Sequence, residues 1–184
     1  MHTEKVDVQD SLGATALLGG SVSEQLSVTG RYDVKCLDAD GNLKWEDSIE
    51  NIVVTVGKAN LLNVYLASGT QTTTWYLGLV DGASTPTYVV GDTMSSHAGW
   101  TESTAYSNAA RPQAVFGTPT ATSSISSSAT TFTINATATI AGAFLVTNSA
   151  KSGTTGTLYS ASSFATARGV IANDSLLVTY TASV

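Results

Sequence analysis

From Thr131 to Ile140 the chain alternates without a break. Phe132, Ile134, Ala136, Ala138 and Ile140 fall on one side, and Thr131, Thr133, Asn135, Thr137 and Thr139 on the other. A period of two is the signature of a half-buried β-strand, so this run predicts the strongest strand of the chain. The same alternation opens "RYDVKCLDADGNLKWED", with Tyr32, Val34 and Cys36 facing one way and Asp33, Lys35 and Leu37 the other. "DADGN" interrupts it and "LKWED" resumes it, which predicts a β-hairpin turning at Asp40-Gly41. Near the end, Leu176, Val178 and Tyr180 alternate with Leu177, Thr179 and Thr181 after an Asn173-Asp174 turn. "TTTWYLGLV" reads as a strand closed by an Asp81-Gly82 turn, with a shorter edge strand after Pro86. "QAVFG" is a short strand ended by Gly117, and "GAFLVTN" a strand buried on both faces. "TLYSASSF" adds another strand after the turn at Lys151 to Gly156.

One stretch has helical spacing. Leu61, Leu62, Tyr65 and Leu66 recur at i, i+1, i+4 and i+5, which predicts a helix over Lys58–Ala67. Thr55 is its candidate N-cap and Gly69 its stop. The apolar stripe is expected to lie on the sheet or close one end of the body, as core. About eight short strands with frequent turn signals and one helix define an all-β chain. The expected architecture is an antiparallel β-sandwich or jelly-roll-like body over residues 28–184. Helices do not alternate with strands, which excludes βαβ folds.

Residues 1–27 keep neither period, and "GATALLGGSVSEQ" mixes small and polar residues around three glycines. This segment reads as an extended N-terminal arm. Two readings of it stand side by side: a solvated tail, or an arm that docks on a neighbour. The second assigns partner contacts to Glu4, Val6, Asp7, Val8, Asp10, Leu12, Leu17 and Leu18.

Charge sharpens this division. The net charge is −6, and residues 1–50 carry all of it, with ten acids and four bases. Residues 51–184 carry four of each. An acidic front part suits a basic partner surface. The absence of a basic patch argues against direct nucleic-acid binding. Only 12% of the residues are charged, against about 25% in ordinary soluble domains, which suits a β-rich assembly protein better than a free-standing enzyme. The single cysteine, Cys36, excludes an internal disulfide and a thiolate metal site. No run approaches the roughly 20 apolar residues that span a bilayer, so no membrane partner is expected. The first apolar run, Ala14 to Leu18, is too short for a signal peptide, so synthesis in a cytoplasm is expected.

Candidate chemistry is sparse. Asp38, Asp40 and Asn42 start like a calcium loop, but the sixth position is Leu43 instead of Gly and the twelfth is Ile49 instead of Glu. Asp92, His97 and Glu102 stand five apart beside Ser95 and Ser96. Metal pairs want spacing of four on a helix or two on a strand, and five suits neither. No G-x-S-x-G nucleophile elbow is present. The sequence therefore predicts no enzyme, no cofactor and no metal. The stretch Gly91 to Pro112 is read as a structural loop that includes Asp92, in which Trp100, Tyr106 and Pro112 pack beneath and His97, Glu102 and Arg111 bond irregular backbone.

Two blocks carry a resemblance. The first holds Tyr76, Gly78, Leu79, Gly91, Asp92, Thr93, Met94, His97, Gly99, Trp100, Glu102 and Tyr106. The second holds Phe164, Arg168, Val170, Asp174, Leu176, Val178 and Tyr180. Together, from about Asn51 to the end, they resemble a family of small structural proteins of tailed bacteriophages. There a Y-x-G-L strand leads to GDTM-x-x-H-x-G-W-x-E-x-x-x-Y. Gly169 and Leu177 depart from that pattern, which expects bulkier and more polar residues. The resemblance implies a virion component made in the host bacterial cytoplasm. A compact body with an arm favours a capsid decoration or cement protein, bound to the major capsid protein and to itself as a dimer or trimer. The alternative is a tail or head-fibre component that binds a receptor or glycan, which exposed Trp and Tyr on loops would favour.

Overall fold

The computed structural model of the protein describes residues 27–120 and 123–184. The N-terminal contacts assigned above to Glu4, Val6, Asp7, Val8, Asp10, Leu12, Leu17 and Leu18 lie outside the described residues. Two antiparallel sheets pack face to face as an all-β sandwich. The first runs β2 (Leu43–Glu50), β1 (Thr29–Leu37), β11 (Ser175–Ser183), with the far side of β11 shared by β7 (Ser124–Ser126) and β8 (Thr130–Thr133). The second runs β3 (Ile52–Val53), β10 (Leu158–Val170), β9 (Ala138–Val146), β4 (Trp75–Asp81), with β5 (Glu102–Ser103) and β6 (Gln113–Ala114) both pairing β4.

The hairpin at Asp40-Gly41 forms as the alternation requires. Val34 stands opposite Asp47, Leu37 opposite Leu43, and Gly41 has φ +85°. The Asp38 carboxylate accepts the N–H groups of Asp40 and Asn42, at 2.9 and 2.8 Å. These bonds hold the Asp38 carboxyl below its ordinary range. The residue that could open a calcium loop is thus the clasp of the turn.

The run from Thr131 to Ile140 does not form one strand. Pairing with β11 stops at Thr133, and the chain then crosses to the other sheet, where β9 begins at Ala138. Phe132, Ile134 and Ile140 nonetheless all enter the same core. Alternation records which side of the chain faces the core, and both sheets share one core.

Strand β9 is buried on both faces because it serves two cores. Ile140, Ala143 and Leu145 point into the inter-sheet core, and Ala141, Phe144 and Val146 into a smaller core on the outer face of the sheet. A register shift opposite Val80/Asp81 lets the two sets change phase. That outer core also holds Val54, Val80, Met94 and Trp100, and is roofed by the loop before β5. The expected strand after Pro86 does not form; Thr87 instead donates to the Gly99 carbonyl at 2.8 Å, tying two loop segments together.

Helix α1 spans Thr55–Leu66, three residues earlier at its start than the stripe suggests. Thr55 is the first helical residue rather than the N-cap. Val54 occupies that place without a side-chain cap, and the Thr55 N–H donates to the Val90 carbonyl at 2.7 Å. Gly69 closes the other end by donating to the Asn63 carbonyl at 2.9 Å, while Ser68 takes the left-handed conformation. The stripe is not core. Leu62, Tyr65 and Leu66 are 51%, 88% and 73% exposed. The helix is anchored at its N-terminal half, where Gly57 sits so close to the Tyr159 backbone that a Cβ would overlap the carbonyl.

Candidate functional site

The loop Gly91–Pro112 divides into two bonded units. The first is built on Trp100, which is 4% exposed and lies on Phe144 of β9, with ring centroids 5.1 Å apart. Its indole N–H donates to the Asp92 carboxylate at 3.1 Å, and the same oxygen accepts the Val89 N–H at 3.2 Å. His97 stacks on the indole with centroids 4.0 Å apart, and its Nδ1 meets the Trp100 carbonyl at 3.0 Å. Tyr88 approaches from the other segment, with centroids 6.0 Å away, and its hydroxyl accepts from Ser163 at 2.7 Å. Burial pushes the Tyr88 phenol up to about 12.

The second unit is an ion pair. The Arg111 fork meets Glu102 through Nε at 2.9 Å and Nη2 at 2.7 Å, and the two side chains are 0% and 6% exposed. Bidentate geometry of this kind is the strong form of the interaction. The remaining Arg111 donors reach the carbonyls of Asn148 at 2.9 Å and Gly153 at 3.0 Å, across the turn between β9 and β10. Glu102 also accepts the Ser152 N–H at 2.7 Å. The guanidinium lies 5.1 Å from the Phe144 ring centroid, so both units rest on one aromatic. Beside them Tyr106 is fully buried, and Lys151 donates to its carbonyl at 2.6 Å. Burial, and then the Glu102 carboxylate, push the Tyr106 phenol well above its ordinary range.

These bonds fix what the loop can do. Asp92 and His97 meet on Trp100, and Glu102 is spent on Arg111. Among the described residues no three His, Cys, Asp or Glu side chains converge as a metal-holding group. Ser95 bonds Thr93, and the nearby imidazole nitrogen Nδ1 is already on the Trp100 carbonyl.

Three further side chains act through partners that the sequence pattern did not pair with them. Asp174 is 1% exposed and accepts Lys44 at 2.6 Å and the Ile171 N–H at 2.9 Å, tying the β2 strand to the turn before β11. Cys36 lies 3.8 Å from the same carboxylate, and burial, with that charge second, pushes its thiol up to about 11. Arg168 bridges β10 to Asp47 of β2 at 2.7 Å. Nothing local signals the pairing of Asp174 with Lys44 and Cys36, or of Arg168 with Asp47, because these partners lie more than a hundred residues apart. A groove of about 860 Å3 also opens between the exposed face of α1 and the adjoining sheet ends.

Among the described residues no helix is long and apolar enough to cross a membrane. No family model matches the chain, and no curated protein matches it in sequence.

Proposed function

We propose that this chain is a structural protein of a tailed-bacteriophage virion, a decoration or cement protein that binds over seams between major capsid subunits. The observation that carries this reading is the use made of the resembling residues. Asp92, His97, Trp100, Glu102 and Tyr106 are spent on holding one loop to the β body, and Asp174 on tying two strands together. A motif spent on rigidity suits a protein whose task is to be a durable shape on a shell. Trp100, the one tryptophan of that loop, is buried, so it offers no face to a sugar.

In this reading the acids Glu4, Asp7 and Asp10 face basic groups of the shell, and copies associate as a dimer or trimer or on the lattice itself. A cryo-EM map of the parent virion tests it. Density for the sandwich over capsid seams is the expected result, and density confined to the tail or a fibre would replace this reading with the receptor-binding one. Reversing Glu4, Asp7 and Asp10 to lysine in the full chain should lower its occupancy on shells. Raised salt should do the same to the native chain, because exposed charges are screened within about 8 Å at physiological ionic strength.

A further inference from the structure

The groove beside α1 is apolar and uncharged. Its walls include Leu62, Tyr65, Trp75, Phe116, Ile125 and Ala182, and no Asp, Glu, Lys or Arg lines it. An exposed apolar surface of this kind marks a place where something docks. The register of the first sheet says what stands at its rim. Gly30 pairs with Ala182, and Ala182 pairs with Ile125, so the start of β1 lies in the same strand row as two groove residues. Val28, just before it, packs on the main core. The chain upstream of Ser27 therefore joins the body at the edge of the groove.

The sequence just upstream matches the groove in character. Ser11 to Ser23 carries no charge and holds Leu12, Leu17, Leu18 and Val22. Only Glu24, Gln25 and Leu26 separate it from Ser27. Three extended residues span roughly 10 Å, which bridges a rim to an adjacent wall. The acids Glu4, Asp7 and Asp10 lie beyond this stretch, and an uncharged apolar surface would not repay their desolvation. We propose that Ser11–Ser23 seats in the groove of its own chain, with Leu17 and Leu18 against the exposed face of α1. This inference does not rest on the virion reading. It assigns the aliphatic part of the segment to the body and leaves the acidic part to reach outward.

Two measurements on the full chain test it. In the first, Leu17→Asp/Leu18→Asp should raise the fluorescence of an apolar-surface dye several-fold and shift tryptophan emission to the red, because Trp75 lines the groove. Far-UV circular dichroism should stay unchanged, and Val6→Asp/Val8→Asp should give neither effect. In the second, Leu18→Cys/Leu62→Cys should be joined within one chain by a short bis-maleimide, while Leu18→Cys/Ile171→Cys, with Ile171 at the opposite end of β11, should not. Cys36 is buried and stays silent in both. Unchanged dye binding and emission, equal cross-linking of both pairs, or cross-links found only between two copies would each overturn the proposal.

Discussion

Trp100 holds its loop through bonds of three kinds: an indole N–H on Asp92, a stacked imidazole, and a face on Phe144. Trp100→Ala removes all of them and leaves a cavity, so urea unfolding should show a loss of about 3–5 kcal/mol. Arg111 is the other fixed point. Its charge is buried with its partner, and removing one member strands the other in a dry place. Arg111→Met should therefore cost about 3–5 kcal/mol by the same measurement. Arg111→Lys should restore little, because a single ammonium cannot bond Glu102 twice and also reach two carbonyls. The sequence already grouped these residues in one irregular stretch beside a Trp and a Pro. It could not pair them, since Asp92, His97 and Glu102 at equal spacing look alike until the backbone folds.

At the scale of the element, β9 is the strand on which both cores are built. It tolerates no added bulk at Gly142, where a Cβ would overlap the Ser162 carbonyl of β10. Gly142→Ala should lower stability by about 1–3 kcal/mol, since the obstacle is backbone and cannot rotate away. Gly91→Ala is the control: a Cβ there meets nothing within 4 Å, and the change should stay within about 0.5 kcal/mol. Thermal denaturation of the two variants side by side checks the contrast. Helix α1 shows the limit of periodicity from the other direction. Its stripe was legible, but a stripe says only that one face is apolar. Which body that face meets was decided by Gly57, whose closeness to Tyr159 docks the first turns and leaves Leu62, Tyr65 and Leu66 outside.

For the whole molecule, the buried phenols set the alkaline limit. Tyr32, Tyr88, Tyr106, Tyr159 and Tyr180 are all raised above the ordinary 10.0, in each case chiefly by burial. A phenol raised in the folded state keeps its proton while the unfolded chain loses one. The associated stability is fully present below pH 10 and is lost as pH rises from there, toward about 12 for Tyr88. Stability measured by urea should thus be flat in these groups up to pH 10 and fall steeply above it. Tyrosinate absorbance from these rings should appear together with unfolding rather than before it. A smooth titration of these five rings in a still-folded protein would contradict their burial.

Taken alone, the sequence determined the all-β class, the hairpin at Asp40-Gly41, and the inward face of most strands. These are local properties: a period of two needs only a boundary between core and water, and a turn needs only its own four or five residues. The tertiary structure decided which sheet each strand joins. It divided Thr131–Ile140 between two sheets, keeping Phe132, Ile134 and Ile140 inward but leaving Ala136 exposed at the crossing, and it turned the stripe of α1 outward. It also chose the distant partners, such as Tyr32 with Ser160 at 2.6 Å and Lys44 with Asp174. Those choices depend on residues about 130 positions apart meeting in a shared interior, and no local pattern along the chain carries that information.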